Sequence, residues 1–143
     1  MQSVENLLIT QLINAINDNI ADIGLPCGVT LGVQTVSGKA IWIQALGGMK
    51  KTKIYLRGRY SGEFPFAVYY RLSGAEMGGI EAKMFVPHEQ LAEWFDKNNW
   101  RLSLDNYIVQ DIAMTAQPTI YSKGEDGTTV YQSRFNFQFT KER

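Results

Sequence analysis

The sequence predicts an α+β protein, with helices packed on an antiparallel-dominated sheet of about four to six strands. Three observations carry that prediction. An apolar stripe at helical spacing opens the chain, a second helical ridge lies around Leu91, and the last third alternates residue by residue. In Val130–Thr140, Tyr131, Phe135, Phe137 and Phe139 interleave with Gln132, Arg134, Asn136 and Gln138. A period of two with aromatics on one side and amides on the other describes a strand with one buried and one wet face.

Taken in order, Ser3 is placed to cap a helix from about Val4 to Ile23. At helical spacing Leu8, Ile9, Leu12, Ile13, Ile16, Ile20 and Ile23 share one stripe, interrupted by Glu5 and Asn19. Gly24 followed by Leu25-Pro26 is a stop signal, since glycine takes the left-handed cap and proline prevents continuation. Val29–Leu46 reads as two strands about a Ser37-Gly38 turn, and Gly47-Gly48 breaks the run. Lys53–Tyr60 alternates, with Lys53, Tyr55, Arg57 and Arg59 on one side and Ile54, Leu56 and Tyr60 on the other. Ser61-Gly62-Glu63 is expected to turn the chain into Phe64–Leu72, where Pro65 suits a strand's first residues or an edge. Ser73–Gly79 is expected to be a loop. A second helix spans at least Pro87–Asn98, with Leu91, Trp94 and Phe95 on one ridge. Glu89 near its start and Lys97 near its end suit the helix dipole. The chain then closes in a long hairpin, Tyr107–Thr115 and Val130–Thr140, turning near Asp126-Gly127.

The length of 143 residues fits one domain, 1–143, with a core of its own. Fourteen acidic and fourteen basic residues cancel, so no global pull toward nucleic acid or anionic membrane is expected. One cysteine, Cys27, rules out an internal disulfide or a cysteine-based zinc cluster, and one histidine, His88, leaves the commonest metal-ligand sets out of reach. Neither a secretory leader nor an apolar run of membrane-spanning length is read here, so a soluble protein, intracellular where it is made, is expected.

No catalytic constellation emerges, and no activity, metal or cofactor is expected. His88 beside Glu89 resembles an acid/base pair, but neighbours on a helix diverge, so a solvated first-turn histidine is the expected state. Cys27 has no second histidine to activate it. Gly74, Gly78 and Gly79 lack the spacing of a phosphate cradle, and Glu125-Asp126 sit in a turn too short for a calcium loop. The candidate site is instead a cluster of cations. Lys50, Lys51, Lys53, Arg57 and Arg59 place five positive charges in ten residues, with Tyr55 and Tyr60 interleaved. Such a cluster contacts DNA phosphates or an acidic protein surface, or it guards an edge strand against sticking to its neighbours.

The closing segment Asp126–Phe139 resembles the end of small structural proteins of long-tailed bacteriophages, the minor capsid or tail terminator family. In order, the counterparts are the Val4–Ile23 helix, Phe64-Pro65-Phe66, the helix near Leu91-Ala92-Glu93-Trp94, and the final hairpin. Ser73–Val86 departs from the pattern, because glycines delay the helix the family places there. The resemblance implies a virion protein made in the bacterial host cytoplasm, without catalysis. It would close the head-proximal end of the tail tube as a ring, usually of six subunits. The implied partners are further copies of itself, the tail tube protein and the head-completion or connector proteins, with passing contact to DNA in the channel and none to membrane. The alternative is a non-viral α+β module that binds a small ligand or a protein, the ligand on the concave face of its sheet. A small hydrolase or transferase ranks third.

Overall fold

The computed structural model describes residues 3–32, 39–72, 85–98, 103–104, 106–124 and 128–142. The expected turns at Ser37-Gly38 and Asp126-Gly127 and the loop at Ser73–Gly79 lie outside them.

Helix α1 covers Val4–Asn17. Ser3 starts it by accepting the Asn6 amide N–H on its hydroxyl at 3.2 Å, which satisfies one of the donors that a first turn leaves open. Leu8, Ile9, Leu12, Ile13 and Ile16 are buried, and all belong to the predicted stripe. The helix does not run unbroken to Ile23. It ends at Asn17, and a separate turn of helix, α2, spans Ile20–Ile23. Two asparagines account for the break. The Asn17 amide donates to the Val29 carbonyl at 2.9 Å and accepts the Val29 N–H at 2.8 Å, tying the helix end to the sheet. The Asn19 amide turns back to the Ala15 carbonyl at 2.8 Å, a bond that competes with the helical ladder. Gly24 then ends α2 at φ 88°, its N–H on the Ile20 carbonyl at 2.8 Å.

Strands follow at Val29–Leu31 (β1), Ala40–Ala45 (β2), Lys50–Ile54 (β3) and Tyr60–Leu72 (β4). Helix α3 spans Val86–Asn98, as expected, before Ser103–Leu104 (β5), Tyr107–Lys123 (β6) and Thr129–Lys141 (β7). Six of these strands form one path, β1-β2-β4-β7-β6-β5, and β3 pairs with β4 alongside it. Every pairing is antiparallel except β1 with β2, which is parallel. The α+β class and the antiparallel dominance hold, and β3 is a seventh strand.

Two local expectations are corrected. The chain turns at Tyr55–Arg59, not at Ser61-Gly62-Glu63. Arg57 and Gly58 take φ 64° and 76° there, and the backbone closes with the Tyr55 N–H on the Arg59 carbonyl at 2.8 Å. Ser61, Gly62 and Glu63 instead lie inside β4, paired to both β3 and β7. Gly62 serves a close approach there, for a Cβ would stand 3.0 Å from the Phe139 ring. Pro65 lies inside a central strand. Its carbonyl accepts from Leu46 at 3.0 Å, so its missing N–H faces the gap between the end of β2 and the start of β3. Locally that flank is an edge, and β7 loses no bond.

The central pair β4–β7 organises the core. Phe64 stacks on Phe137 at 5.1 Å and Phe66 on Phe135 at 5.3 Å, each pair directly opposite in the ladder. Phe95 of α3 meets Phe66 and Phe135 edge-on. Aromatic contacts of this kind contribute about 0.5–1.5 kcal/mol each beyond the area they bury. The cluster also takes in Leu8, Leu12 and Ile16 of α1 and Leu91 of α3, so these two helices press on one face of the sheet. The opposite face carries Gln132, Arg134, Asn136 and Gln138, the amides half-buried and the arginine exposed, as the alternation predicted.

Candidate functional site

The five predicted cations all lie on one arm, β3 and the turn that returns it to β4. Every residue from Lys50 to Arg59 is solvent-exposed. Among the described strands β3 pairs only with β4, so its outer side is an edge. The structure does not line up Lys53, Tyr55, Arg57 and Arg59 along one strand face, since the turn intervenes. It brings Lys53 and Arg59 together over the Tyr55 ring, at 5.5 and 5.8 Å from its centre. Lys51 lies over Tyr60 at 4.5 Å, and Lys141 approaches the same ring at 5.8 Å. Lys50 is 3.6 Å from Glu63, and Arg59 is 3.6 Å from Glu142. Arg57 sits at the bend in the left-handed conformation.

These contacts set the cations in place without making the fold depend on them. Exposed ion pairs contribute about 0–1 kcal/mol and exposed cation–π contacts about 0.5–1 kcal/mol. The Tyr55 hydroxyl lies 3.4 Å from that of Ser61, which meets Thr140 at 2.9 Å and fastens the arm's foot to β7. Glu63 beside the foot is anchored by side-chain amides. Hydrogen bonds from Asn136 and Gln138, and then Lys50, hold its carboxyl below the usual range. Burial, with Tyr107 and Glu5 nearby, pushes the Tyr60 phenol up. The arm also bares apolar surface, with Ile54 75% and Leu56 84% exposed. A hollow of about 760 Å³ opens along Ile54–Arg57 and Arg59. It is space beside a bend, without the enclosing walls of a ligand pocket.

His88 departs from its expected solvated state. It is fully buried, and its Nδ1 lies 2.6 Å from the hydroxyl of Ser133, itself fully buried. Burial lowers its pKa from 6.5 to about 4, so the ring is neutral at physiological pH. Its Nε2 is buried and has no hydrogen-bond partner among the described residues. A serine–histidine contact invites comparison with nucleophilic catalysis, but both groups are sealed from solvent and no described residue orients the far ring nitrogen. Glu89 is exposed while its neighbour is buried, so the two do not act together. In the sequence, the sign of this buried contact is Ser133. It occupies an aromatic-face position between Tyr131 and Phe135, and a small polar residue in a buried register calls for a polar partner across the core.

On the second face of the sheet, Trp42 and Tyr69 are closed over while Tyr121 is exposed. Trp42 stacks on Tyr69 at 5.2 Å, and both are buried. Tyr121 meets Tyr69 edge-on at 4.9 Å, Arg71 lies 5.7 Å from the Trp42 ring, and Gln132 donates to the Tyr69 hydroxyl at 3.0 Å. Cys27 is half-buried, in a groove with Asn17 and Lys39. Among the described residues no group of three His, Cys, Asp or Glu side chains could hold a metal ion. No described helix is long and apolar enough to cross a membrane. No family model matches the chain, and no curated protein matches it.

Proposed function

We propose that this chain is a structural subunit of a bacteriophage or prophage neck. It closes the tail tube at its head-proximal end and joins it to the head connector as a ring, most simply of six copies. Its location is then the virion, assembled in the bacterial host cytoplasm, and its role requires no catalytic step. The observation that supports this reading is the presence of unlike exposed edges on one subunit. No described strand pairs with the outer side of β6 past Ile108, while the cationic arm of β3 forms a separate edge across the sheet. Unlike surfaces meet head to tail, and such contacts close into rings when the rotation per subunit divides a full turn. Lys50, Lys51, Lys53, Arg57 and Arg59 are the partner-contact residues in this reading.

On this reading a tail-tube gene lies beside this one, and the test uses tubes assembled from its product. Mass photometry of the free protein over a concentration series, and negative-stain images with tubes present, should show a ring at one tube end. A two-fold dimer that persists in both settings, or no attachment to tubes, removes the neck role.

A further inference from the structure

A formal net charge of zero conceals a separation. The helical segments, residues 3–24 and 86–98, carry Glu5, Asp18, Asp22, Glu89, Glu93 and Asp96 against the single cation Lys97. The arm, residues 50–59, carries five cations and no acid. Glu5 acts on Tyr60 at the arm's own foot, and the other acids belong to the end of α1, α2 and α3. Between α2 and α3 lies a groove of about 200 Å³ lined by Asp22, Ile23, Gln90, Glu93, Trp94 and Lys97. Its acidic members stand beside buried Ile23 and half-buried Trp94, and Glu93 already holds Lys97 at 2.8 Å, so the arm's cations would share that carboxylate with it. Gln90 places its Oε1 in the same wall, buried and without a donor among the described residues. The arm carries the complements: exposed Ile54 and Leu56, and donors on Lys53 and Arg57.

The two surfaces belong to different regions of the subunit. The arm leaves the sheet at the Tyr60 end of β4, whereas α3 begins over the other end, where Phe85 meets Tyr131 and His88 meets Ser133. We propose that the arm of one copy docks in the α2–α3 groove of the next, so the partner of the cation cluster is a second copy of this chain. This rests on the neck reading for its biological setting, but the contact itself is a property of the protein alone. Leu56 and Ile54 would meet the exposed part of Trp94, while Lys53 and Arg57 would face Asp22, Glu93 and the Gln90 carbonyl. Opposite potentials on the two surfaces favour the arm against the groove over arm against arm or groove against groove, where like charges would meet.

The experiment follows self-association of the full chain by sedimentation over a concentration series, at low and high salt. The variants are Lys53→Glu with Arg57→Glu, Asp22→Lys with Glu93→Lys, and a chain carrying all four changes. Each pair of reversals should raise the concentration needed for assembly by about tenfold or more, and high salt should weaken the unmodified protein's assembly. The fourfold variant should recover assembly, because a reversed arm again meets a reversed groove. Thermal unfolding of each variant confirms that its subunit is folded. Assembly indifferent to either pair, no recovery in the fourfold variant, or an unmodified protein monomeric throughout overturns the contact. Recovery by charge swap in a protein that ignores tail tubes keeps the contact and removes the neck role. A ring on tubes that is indifferent to the reversals does the opposite.

Discussion

Beneath α1 and α3, Phe64, Phe66, Phe135 and Phe137 are shut away from solvent, while on the arm Ile54 and Leu56 stand largely bare. Both regions belong to the same sheet, since β4 runs from the arm's foot at Tyr60 to the buried end at Leu72. They differ in what surrounds each side chain. Under the helices every apolar group touches others, and the energy of the fold resides there. On the arm the apolar and charged groups face water, where they add little to stability. In the proposed reading, these residues that the fold does not need meet a partner outside the subunit.

Four measurements test that contrast, and the largest effect should come from the centre of the aromatic pair. Phe66→Ala removes a ring stacked on Phe135 and met edge-on by Phe95, and should cost about 3–5 kcal/mol in urea denaturation. Leu12→Ala, in the fully buried stripe of α1, should cost about 2–5 kcal/mol by the same measurement. An unchanged midpoint would mean that α1 does not cover the core.

The third measurement is a pH series. His88 has a folded pKa of about 4 against the ordinary histidine value of 6.5, so between those values the unfolded chain binds more protons than the folded one. Stability should therefore be independent of this group above about pH 6.5, fall as the pH drops, and level off below about pH 4, a loss of about 3 kcal/mol from the histidine. His88→Gln should flatten that slope, and a slope that survives unchanged would assign it to the carboxylates. The smallest effect belongs to the arm. Leu56→Ser should shift subunit stability by no more than about 0.5 kcal/mol, as exposed positions do. A large loss there would show that the arm is part of the core.

The contrast also explains which features were legible in the sequence. The stripe of α1, the ridge of α3 and the alternation of β7 could be read because each depends on one segment facing one surface. Ser61-Gly62-Glu63 has the composition of a turn yet lies inside β4, because small residues mark both bends and close approaches. Only the position of the Phe139 ring, far along the chain, shows that Gly62 serves the second purpose. The real bend at Arg57-Gly58 places a non-glycine residue in the left-handed region, which no local preference announces. The break after Asn17 depends on Val29, and the burial of His88 depends on Ser133; neither partner is a sequence neighbour. Of the candidate site, the charges were legible and their geometry was not. The meeting of Lys53 and Arg59 at the Tyr55 ring, and the acidic groove between α2 and α3, arise only once the chain has folded.

The pairing of β4 with β7 bears on how the protein is made. Tyr60 lies opposite Lys141 and Leu72 opposite Thr129, so the strand at the centre of the sheet waits for the last strand in chain order. During synthesis Phe64 and Phe66 leave the ribosome well before the phenylalanines that will cover them. Until β7 emerges, that apolar strand has an unfilled side and is open to capture by a chaperone or by another nascent chain. Closing contacts between segments so distant in sequence is also slow compared with helix formation. Folding of this subunit is thus expected to follow synthesis of the final hairpin rather than accompany it. In a cell producing many copies at once, that interval is where yield would be lost.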